Sequence, residues 1–363
     1  MVIVLFIVGL VCLIVGAEAL VRGASRLAAA LGISPLIIGL TVVALGTSSP
    51  EFAVSIKSAL SGQASIGVGN VVGSNIFNIL FILGLSALIV PLSVSQQLVR
   101  LDVPLMIVMS AVVLIFSMDG IFGRIEGLIL VTSLAIYISF LIFQSRRENI
   151  ESKVIGDKKS SLEGNAKDDW VKNIAMALFG LALLVLGSRW LVDSAVAFAH
   201  YLGVSELVIG LTIVAVGTSL PEVVTSVIAA MRGERDIAVG NVVGSNIFNI
   251  LGVLGLASVV APNGISVSPA VTGFDIPVMI AVAFACLPIF YTGGVISRPE
   301  GALFLGYYVV YTLYLILAAS YHDVLPSINV AMLYFVIPLT VVTLVTIAMR
   351  EFRRRKGPPQ QNP

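Results

Sequence analysis

Residues Gly39 to Pro91 read GLTVVALGTSSPEFAVSIKSALSGQASIGVGNVVGSNIFNILFILGLSALIVP, and residues Gly210 to Pro262 read GLTIVAVGTSLPEVVTSVIAAMRGERDIAVGNVVGSNIFNILGVLGLASVVAP. The two stretches align without a gap at a constant offset of 171. Each sets one glutamate, Glu51 or Glu222, and several Ser, Thr and Asn residues inside runs that are otherwise apolar. Such groups are costly at membrane depth unless they face protein, water or an ion, so an intramembrane carboxylate is a candidate functional group by default. Here there are two, at matching positions.

The rest of the composition agrees with a membrane setting. In 363 residues, 58% are hydrophobic and 11% charged, which places the chain among polytopic membrane proteins rather than soluble multidomain ones. A net charge of +1 leaves nothing to neutralise many phosphates and so excludes a nucleic-acid surface. Cys12 and Cys286 both lie in apolar runs and read as small hydrophobes, not as a disulfide or a thiolate metal site. The N-terminal MVIVLFIVGLVCLIVGAEAL lacks a basic region ahead of its apolar core and reads as a retained span.

A span needs roughly 20 apolar residues. On that measure eleven helices are expected, near residues 2–20, 35–60, 65–90, 102–119, 123–143, 171–191, 206–231, 236–260, 274–291, 299–319 and 328–349. The repeat extends beyond the opening stretches. The segment from Gly9 matches that from Gly180 at the same offset, LDVPLMI at Leu101 answers FDIPVMI at Phe274, and RIEGLIL at Arg124 answers RPEGALF at Arg298. Five helices per repeat is odd, so the second half must enter the membrane from the opposite side, an arrangement common in secondary transporters with a midplane site. The expected fold is therefore an all-α polytopic membrane protein of two inverted five-helix repeats, a ten-helix unit, plus an extra C-terminal transmembrane helix.

The domain boundaries expected are 1–143 for the first repeat, with its motif at 39–91, and 144–170 for a polar cytoplasmic linker. The second repeat takes 171–319, with its motif at 210–262, and 320–363 holds the extra helix and a basic tail. Lys and Arg crowd the loops that face inward if the N-terminus is outside, with only Lys57, Arg124 and Arg189 elsewhere, so an N-out, C-in orientation follows.

In the second helix Ala44, Thr47, Ser48 and Glu51 fall on one face, mirrored by Ala215, Thr218, Ser219 and Glu222. In the third, Asn70, Ser74 and Asn78 stand four apart, mirrored by Asn241, Ser245 and Asn249 in the eighth. Pro50 and Pro221 each remove a helical hydrogen bond and push on the carbonyl four residues back, so a break is expected that frees carbonyls from about Ala44 to Thr47 and from Ala215 to Thr218. Exposed backbone at that depth is tolerated where it lines a cavity. Carbonyls, hydroxyls, amide oxygens and two carboxylates make an all-oxygen shell, which suits Ca²⁺ with its roughly six to eight oxygen ligands, and Na⁺ as another hard cation. Two carboxylates balance one Ca²⁺, and an empty pair of like charges invites Na⁺ or protons instead, so the ions compete for one site.

Plainer readings attach to other residues. Gly69, Gly73, Gly240 and Gly244 have the spacing that lets helices approach closely. Asn75 and Asn246 lie off the Asn-Ser-Asn face and read as structural, Asp102 and Asp275 read as helix N-caps, and Glu18 and Arg189 as interfacial groups.

GTSSPE with GNVVGSNIFNI, repeated as GTSLPE with GNVVGSNIFNI, resembles the paired repeats of the sodium/calcium exchangers, of prokaryotic type, within the cation/calcium antiporter superfamily. The resemblance covers the ten-helix unit and leaves out the eleventh helix. It implies an antiporter that admits Na⁺ and expels Ca²⁺ by alternating access, the first and sixth helices sliding past the others. It further implies that Glu51 and Glu222 coordinate Ca²⁺ and share in Na⁺ binding, with the backbone oxygens of Thr47 and Thr218 completing the Ca²⁺ site. The Ala44 and Ala215 carbonyls, Ser48, Ser219, Ser74 and Ser245 would serve flanking Na⁺ sites, with Asn78 and Asn249 at the centre. Potassium-dependent members carry Asp where this chain has Asn249, which argues against K⁺ cotransport. The linker is too short for the Ca²⁺-sensing domains of the large animal exchangers.

The function expected is Na⁺/Ca²⁺ antiport in the plasma (inner) membrane. No enzyme activity, cofactor, nucleic acid or obligate protein partner is expected; the partners are Ca²⁺, Na⁺, competing H⁺ and the lipid bilayer. A Ca²⁺/H⁺ exchanger is the nearest rival, since it too needs one glutamate per repeat, and a cation channel a more distant one. A hydrolase built on Ser48 or Ser219 is disfavoured because His200 and His322 are far from both in sequence.

Overall fold

A computed structural model describes residues 2–61, 64–154, 170–201, 215–291 and 293–319. The expected eleventh helix, the basic tail, His322 and the first part of the seventh span lie outside these residues.

The chain opens on a long helix, α1 (Val2–Leu31), followed by α2 (Pro35–Thr47) and α3 (Ser49–Leu60), which form one span bent by 47°. Next come α4 (Ile66–Ile89), α5 (Leu98–Phe116) and α6 (Arg124–Val154). The second half repeats the order with α7 (Trp170–Tyr201), the short α8 (Ala215–Gly217), α9 (Leu220–Met231), α10 (Arg235–Val260), α11 (Val271–Tyr291) and α12 (Arg298–Ala319). Among the described residues eight helices are long and apolar enough to cross a membrane, nine with the bent pair counted as one.

Several helices outrun the expected spans. α1 reaches Leu31 rather than residue 20, α7 reaches Tyr201 rather than 191, and α6 continues to Val154, into the expected linker. An apolar run marks the thickness of the bilayer, whereas the hydrogen-bond ladder of a helix continues for as long as its polar ends are solvated or paired. In α1 that pairing is visible: Glu18 binds Arg22 on its own helix and Arg232 just beyond α9. The interfacial reading of Glu18 thus takes the form of a tie between two helices.

Packing between the halves is reciprocal. α1 and α7 run antiparallel with backbone against backbone: a Cβ at Gly9 would lie 2.8 Å from the Gly187 carbonyl oxygen, and one at Gly16 would lie 2.7 Å from that of Gly180. Gly180 and Gly187 are the repeat mates of Gly9 and Gly16, so each glycine meets the mate of the other. The same exchange joins α4 to α12 through Gly84 and Gly301, and α6 to α10 through Gly127 and Gly255. Two small antiparallel ladders follow the rule as well, β1 (Leu92–Ser93) with β4 (Val295–Ile296) and β2 (Ile121–Phe122) with β3 (Ile265–Ser266). Without a hydrophobic driving force in lipid, such close small-residue contacts are what holds helices together.

Gly240 and Gly244 admit α2, with a Cβ at either falling 2.9 or 2.7 Å from the carbonyl oxygens of Leu36 and Leu40, while Gly69 and Gly73 have no such neighbour among the described residues. Asp102 and Asp275 do not cap helices. Each ends a π-helical turn, Leu98–Asp102 or Val271–Asp275, that runs straight into the next helix. Their carboxylates instead accept from Tyr137 (2.9 Å) and Tyr311 (3.0 Å), pinning α5 to α6 and α11 to α12. Cys12 and Cys286 are both free thiols.

Gly180→Leu is expected to destabilise the protein by about 1–3 kcal/mol through overpacking, because a Cβ there would stand 2.5 Å from the Leu20 backbone nitrogen. Gly306→Ala, inside α12 at a glycine with no neighbour within 4 Å of an added Cβ among the described residues, should not destabilise and gains up to about 1 kcal/mol from helix propensity. Thermal unfolding in detergent compares the two, and equal midpoints for both variants would remove the role given to the α1–α7 seam.

Candidate functional site

The 47° bend falls at Ser48, whose φ of −77° and ψ of 6° leave the helical region before Pro50 restarts the helix as α3. Its mate Ser219 has φ −90° and ψ 7°, ahead of Pro221 and α9. The break puts Glu51 and Glu222 in the first turn of a helix, where the N-terminal end of the dipole favours an anion. The expected release of carbonyls is narrower than the proline argument suggests. Ala44 O still accepts the Ser48 N–H at 3.0 Å, and Ser219 N–H turns to Val216 O at 3.1 Å. A carbonyl with one such bond keeps a second lone pair for another partner.

Glu51 and Glu222 are both completely buried, as are Thr47, Ser48, Ser219, Ser245 and Asn249, while Ser74 and Asn78 are nearly so. The fold brings them together crosswise. Ser48 Oγ donates to Glu222 Oε1 (3.0 Å), and Ser219 Oγ donates to Glu51 Oε1 (2.9 Å). Ser219 Oγ also lies 3.3 Å from Ser74 Oγ, and Thr47 Oγ1 lies 3.5 Å from Ser245 Oγ. The Thr47 hydroxyl donates to Asn241 Oδ1 at 3.0 Å, and Thr218 Oγ1 to Asn70 Oδ1 at 3.5 Å. Ala44 is buried at the start of the last turn of α2, and the backbone of Ala215 opens α8 at the matching place.

Some of the machinery escaped the sequence reading. Ser55 and Ser226, one turn past the glutamates, accept the amides of Asn70 (3.2 Å) and Asn241 (2.9 Å) and so tie α3 to α4 and α9 to α10. Spacing of four from each glutamate was the available signal, but serine is too common on apolar helices to stand out. A second feature carries no sequence signal at all. Asn78 and Asn249 each begin a π-helical stretch, Asn78–Leu83 and Asn249–Leu254, and such departures concentrate at functional sites.

Four oxygens of the crossing region have no hydrogen-bond donor: Glu51 Oε2, Glu222 Oε2, Asn78 Oδ1 and Asn249 Oδ1. Neither carboxylate has a cationic side-chain partner among the described residues. No group of three or more His, Cys, Asp or Glu side chains suited to a metal occurs among those residues either. The site is thus a cluster of acceptors that combines two carboxylates with hydroxyl and amide oxygens, chemistry suited to hard cations and unsuited to soft ones. A histidine is absent from the hydrogen bonds of Ser48 and Ser219, whose hydroxyls serve carboxylates.

A family model described as "Sodium/calcium exchanger protein" matches residues 1–146 and 172–317. The chain belongs to the sodium/calcium exchanger family. Among its relatives, the sodium/calcium exchanger MaX1 of Methanosarcina acetivorans is 34% identical over 338 residues, covering 85% of this chain and 96% of the relative. The inner membrane protein YrbG of Escherichia coli is 38% identical over 288 residues, covering 78% and 87%. A solved structure of the sodium-calcium exchanger NCX_Mj, soaked with zero Na⁺ and Ca²⁺, matches with a TM-score of 0.74 at 30% identity, covering 86% of this chain and 98% of that one. The family is one of transporters, and the fold is that of an all-α polytopic membrane protein.

Because the two hydroxyl-to-carboxylate bonds are equivalent, Ser48→Ala and Ser219→Ala are expected to have similar consequences. Each should raise the half-saturating Ca²⁺ concentration by about 10–100-fold, as loss of one hydrogen bond to a charged group does. Titration of Ca²⁺ into the purified protein measures both, and a large effect from one with none from the other would break the equivalence.

Proposed function

We propose that this chain is a secondary-active Na⁺/Ca²⁺ antiporter that exports Ca²⁺ against entering Na⁺ by alternating access, without K⁺ and without a cofactor. The observation that carries the reading is the set of four acceptor oxygens with no donor, two of them from the buried carboxylates Glu51 and Glu222. An ionised carboxylate this deeply buried, with one hydroxyl as its partner, costs several kcal/mol, so the pair calls for a cation or a proton in the same place. One Ca²⁺ balances both, with Glu51, Glu222 and the Thr47 and Thr218 backbone oxygens as its ligands. The hydroxyls of Thr47 and Thr218 reach asparagines of the opposite half, at 3.0 and 3.5 Å, which ties both helix breaks to the facing helices.

Na⁺ takes the same carboxylates together with Ser48, Ser74, Ser219 and Ser245 and the Ala44 and Ala215 carbonyls, so the two ions exclude each other and exchange follows. Asn249 contributes no charge, which supports independence from K⁺. The Lys and Arg distribution supports an N-terminus outside and a C-terminus in the cytoplasm of the plasma (inner) membrane. A Ca²⁺/H⁺ exchanger shares the two glutamates, and the counter-ion distinguishes it.

In proteoliposomes, Ca²⁺ uptake is expected with an outward Na⁺ gradient and no K⁺; uptake driven by a proton gradient alone would replace the first reading with the second. Glu51→Gln and Glu222→Gln should each lower Na⁺-driven Ca²⁺ uptake by about 100-fold, corresponding to about 3 kcal/mol for a lost charged ligand. Near-normal uptake in both variants would overturn the assignment of the site.

A further inference from the structure

Two asparagines that the motif faces leave out, Asn75 and Asn246, sit three residues before Asn78 and Asn249 and are 1% exposed. They face each other across the junction of α4 and α10. Asn75 Nδ2 donates to the Asn246 backbone carbonyl (3.3 Å) and approaches Met279 Sδ (3.6 Å). Asn246 Nδ2 donates to the Asn75 backbone carbonyl (3.2 Å) and approaches Met106 Sδ (3.6 Å). A side-chain amide has two N–H donors and one oxygen. Both donors of each residue are therefore committed to acceptors, and the oxygen alone remains to meet a neighbour.

That neighbour is an amide of the opposite half in each case. Asn78 Nδ2 donates to Asn246 Oδ1 at 2.9 Å, and Asn249 Nδ2 donates to Asn75 Oδ1 at 3.2 Å. The amides thus form two chains, Asn78 to Asn246 to the Asn75 carbonyl and Asn249 to Asn75 to the Asn246 carbonyl, each with its polarity set by a backbone carbonyl. A backbone carbonyl cannot exchange places with a donor, whereas an amide turned end for end would set N–H against N–H or oxygen against oxygen. With their nitrogens engaged, Asn78 and Asn249 are left presenting Oδ1, and both of those oxygens lack a donor in the protein. Asn78 stands one turn beyond Ser74, whose hydroxyl meets Ser219, the partner of Glu51, which puts Asn78 on the helix face that bears the acceptor cluster.

We propose that Asn75 and Asn246 are positioning residues that hold the oxygen edges of Asn249 and Asn78 toward the transported cation. The idea rests on the function proposed above and adds how the centre of that site acquires its sign. Turned around, the two amides would aim four N–H donors at the same point and repel a cation. The pairing is also selective for the side chain at position 249. Asn75 offers an oxygen there, which suits an amide and opposes a second carboxylate oxygen at that distance.

A comparison of backgrounds separates positioning from plain structural support. Asn246→Ala removes the acceptor that orients Asn78 and should raise the half-saturating Ca²⁺ concentration about tenfold in titrations of the purified full-length protein. Asn78→Asp has oxygen on both edges and no orientation to lose. Adding Asn246→Ala to Asn78→Asp should therefore leave Ca²⁺ binding within about twofold or tighten it, because Asn246 Oδ1, which accepts from Asn78 at 2.9 Å and would oppose a carboxylate there, is removed as well. Asn75→Ala, alone and with Asn249→Asp, repeats the comparison on the other half and serves if the first pair does not fold. Equal losses in both backgrounds, or no loss in either single alanine variant, overturn the positioning role while the transport function stands. Failure of the unmodified protein to bind either Ca²⁺ or Na⁺ overturns the function and this inference together.

Discussion

Two carboxylates at membrane depth must be satisfied from within the protein, and the way this chain does so governs the rest of its architecture. Each glutamate takes a hydroxyl from the helix break of the opposite half, Ser219 to Glu51 and Ser48 to Glu222. One oxygen of each carboxylate is then occupied and the other has no donor. Water offers no alternative partner in a bilayer, so the bonds within the protein and the charge of a cation are the available compensations. A single half could not supply this arrangement, because neither break carries both the carboxylate's acceptor oxygens and the hydroxyl that serves them.

The crosswise supply demands that the two halves dock with their breaks adjacent and oppositely directed. The glycine contacts meet that demand. Gly9 with Gly187 and Gly16 with Gly180 set α1 against α7, while Gly84 with Gly301 and Gly127 with Gly255 set the motif helices against the last helix of the other half. Every one of these pairs exchanges repeat mates, as do the short ladders β1–β4 and β2–β3. The asparagine chains at the centre obey the same relation, and their backbone carbonyls extend the constraint from helix position to the polarity of individual amides. Backbone proximity, ladder pairing and amide direction are thus three expressions of one approximate two-fold relation.

Much of this was legible in the residues. The offset of 171 announced two equivalent units, and an odd number of spans per unit required opposite insertion. Glu51 and Glu222 stood out because a charged side chain in an apolar run is too costly to keep without a function. Pro50 and Pro221 located the bends, since the loss of a backbone donor is a local property. The reading failed where the outcome depended on neighbours. Asp102 and Asp275 looked like caps from their place before a proline, yet a π-helical turn already precedes them and a tyrosine 35 or 36 residues later takes the carboxylate. Asn75 and Asn246 read as structural because they lie off the polar face, and their bonds across the two halves agree with that reading while fixing which amide end of Asn78 and Asn249 is engaged.

By itself the sequence determined the membrane class, the duplication and the polar residue types that gather at the two breaks, and it led to the expectation that the halves insert in opposite directions. These follow from composition, spacing and helical period, which are properties of short segments. Only the tertiary structure decided which hydroxyl serves which carboxylate and which edge of each asparagine remains open. The bonds concerned join residues 168 to 174 positions apart, and their direction is set by the few donors and acceptors that docking brings within reach. In a medium without water each of those groups has so few partners that the contact, rather than the residue type, fixes what it can do.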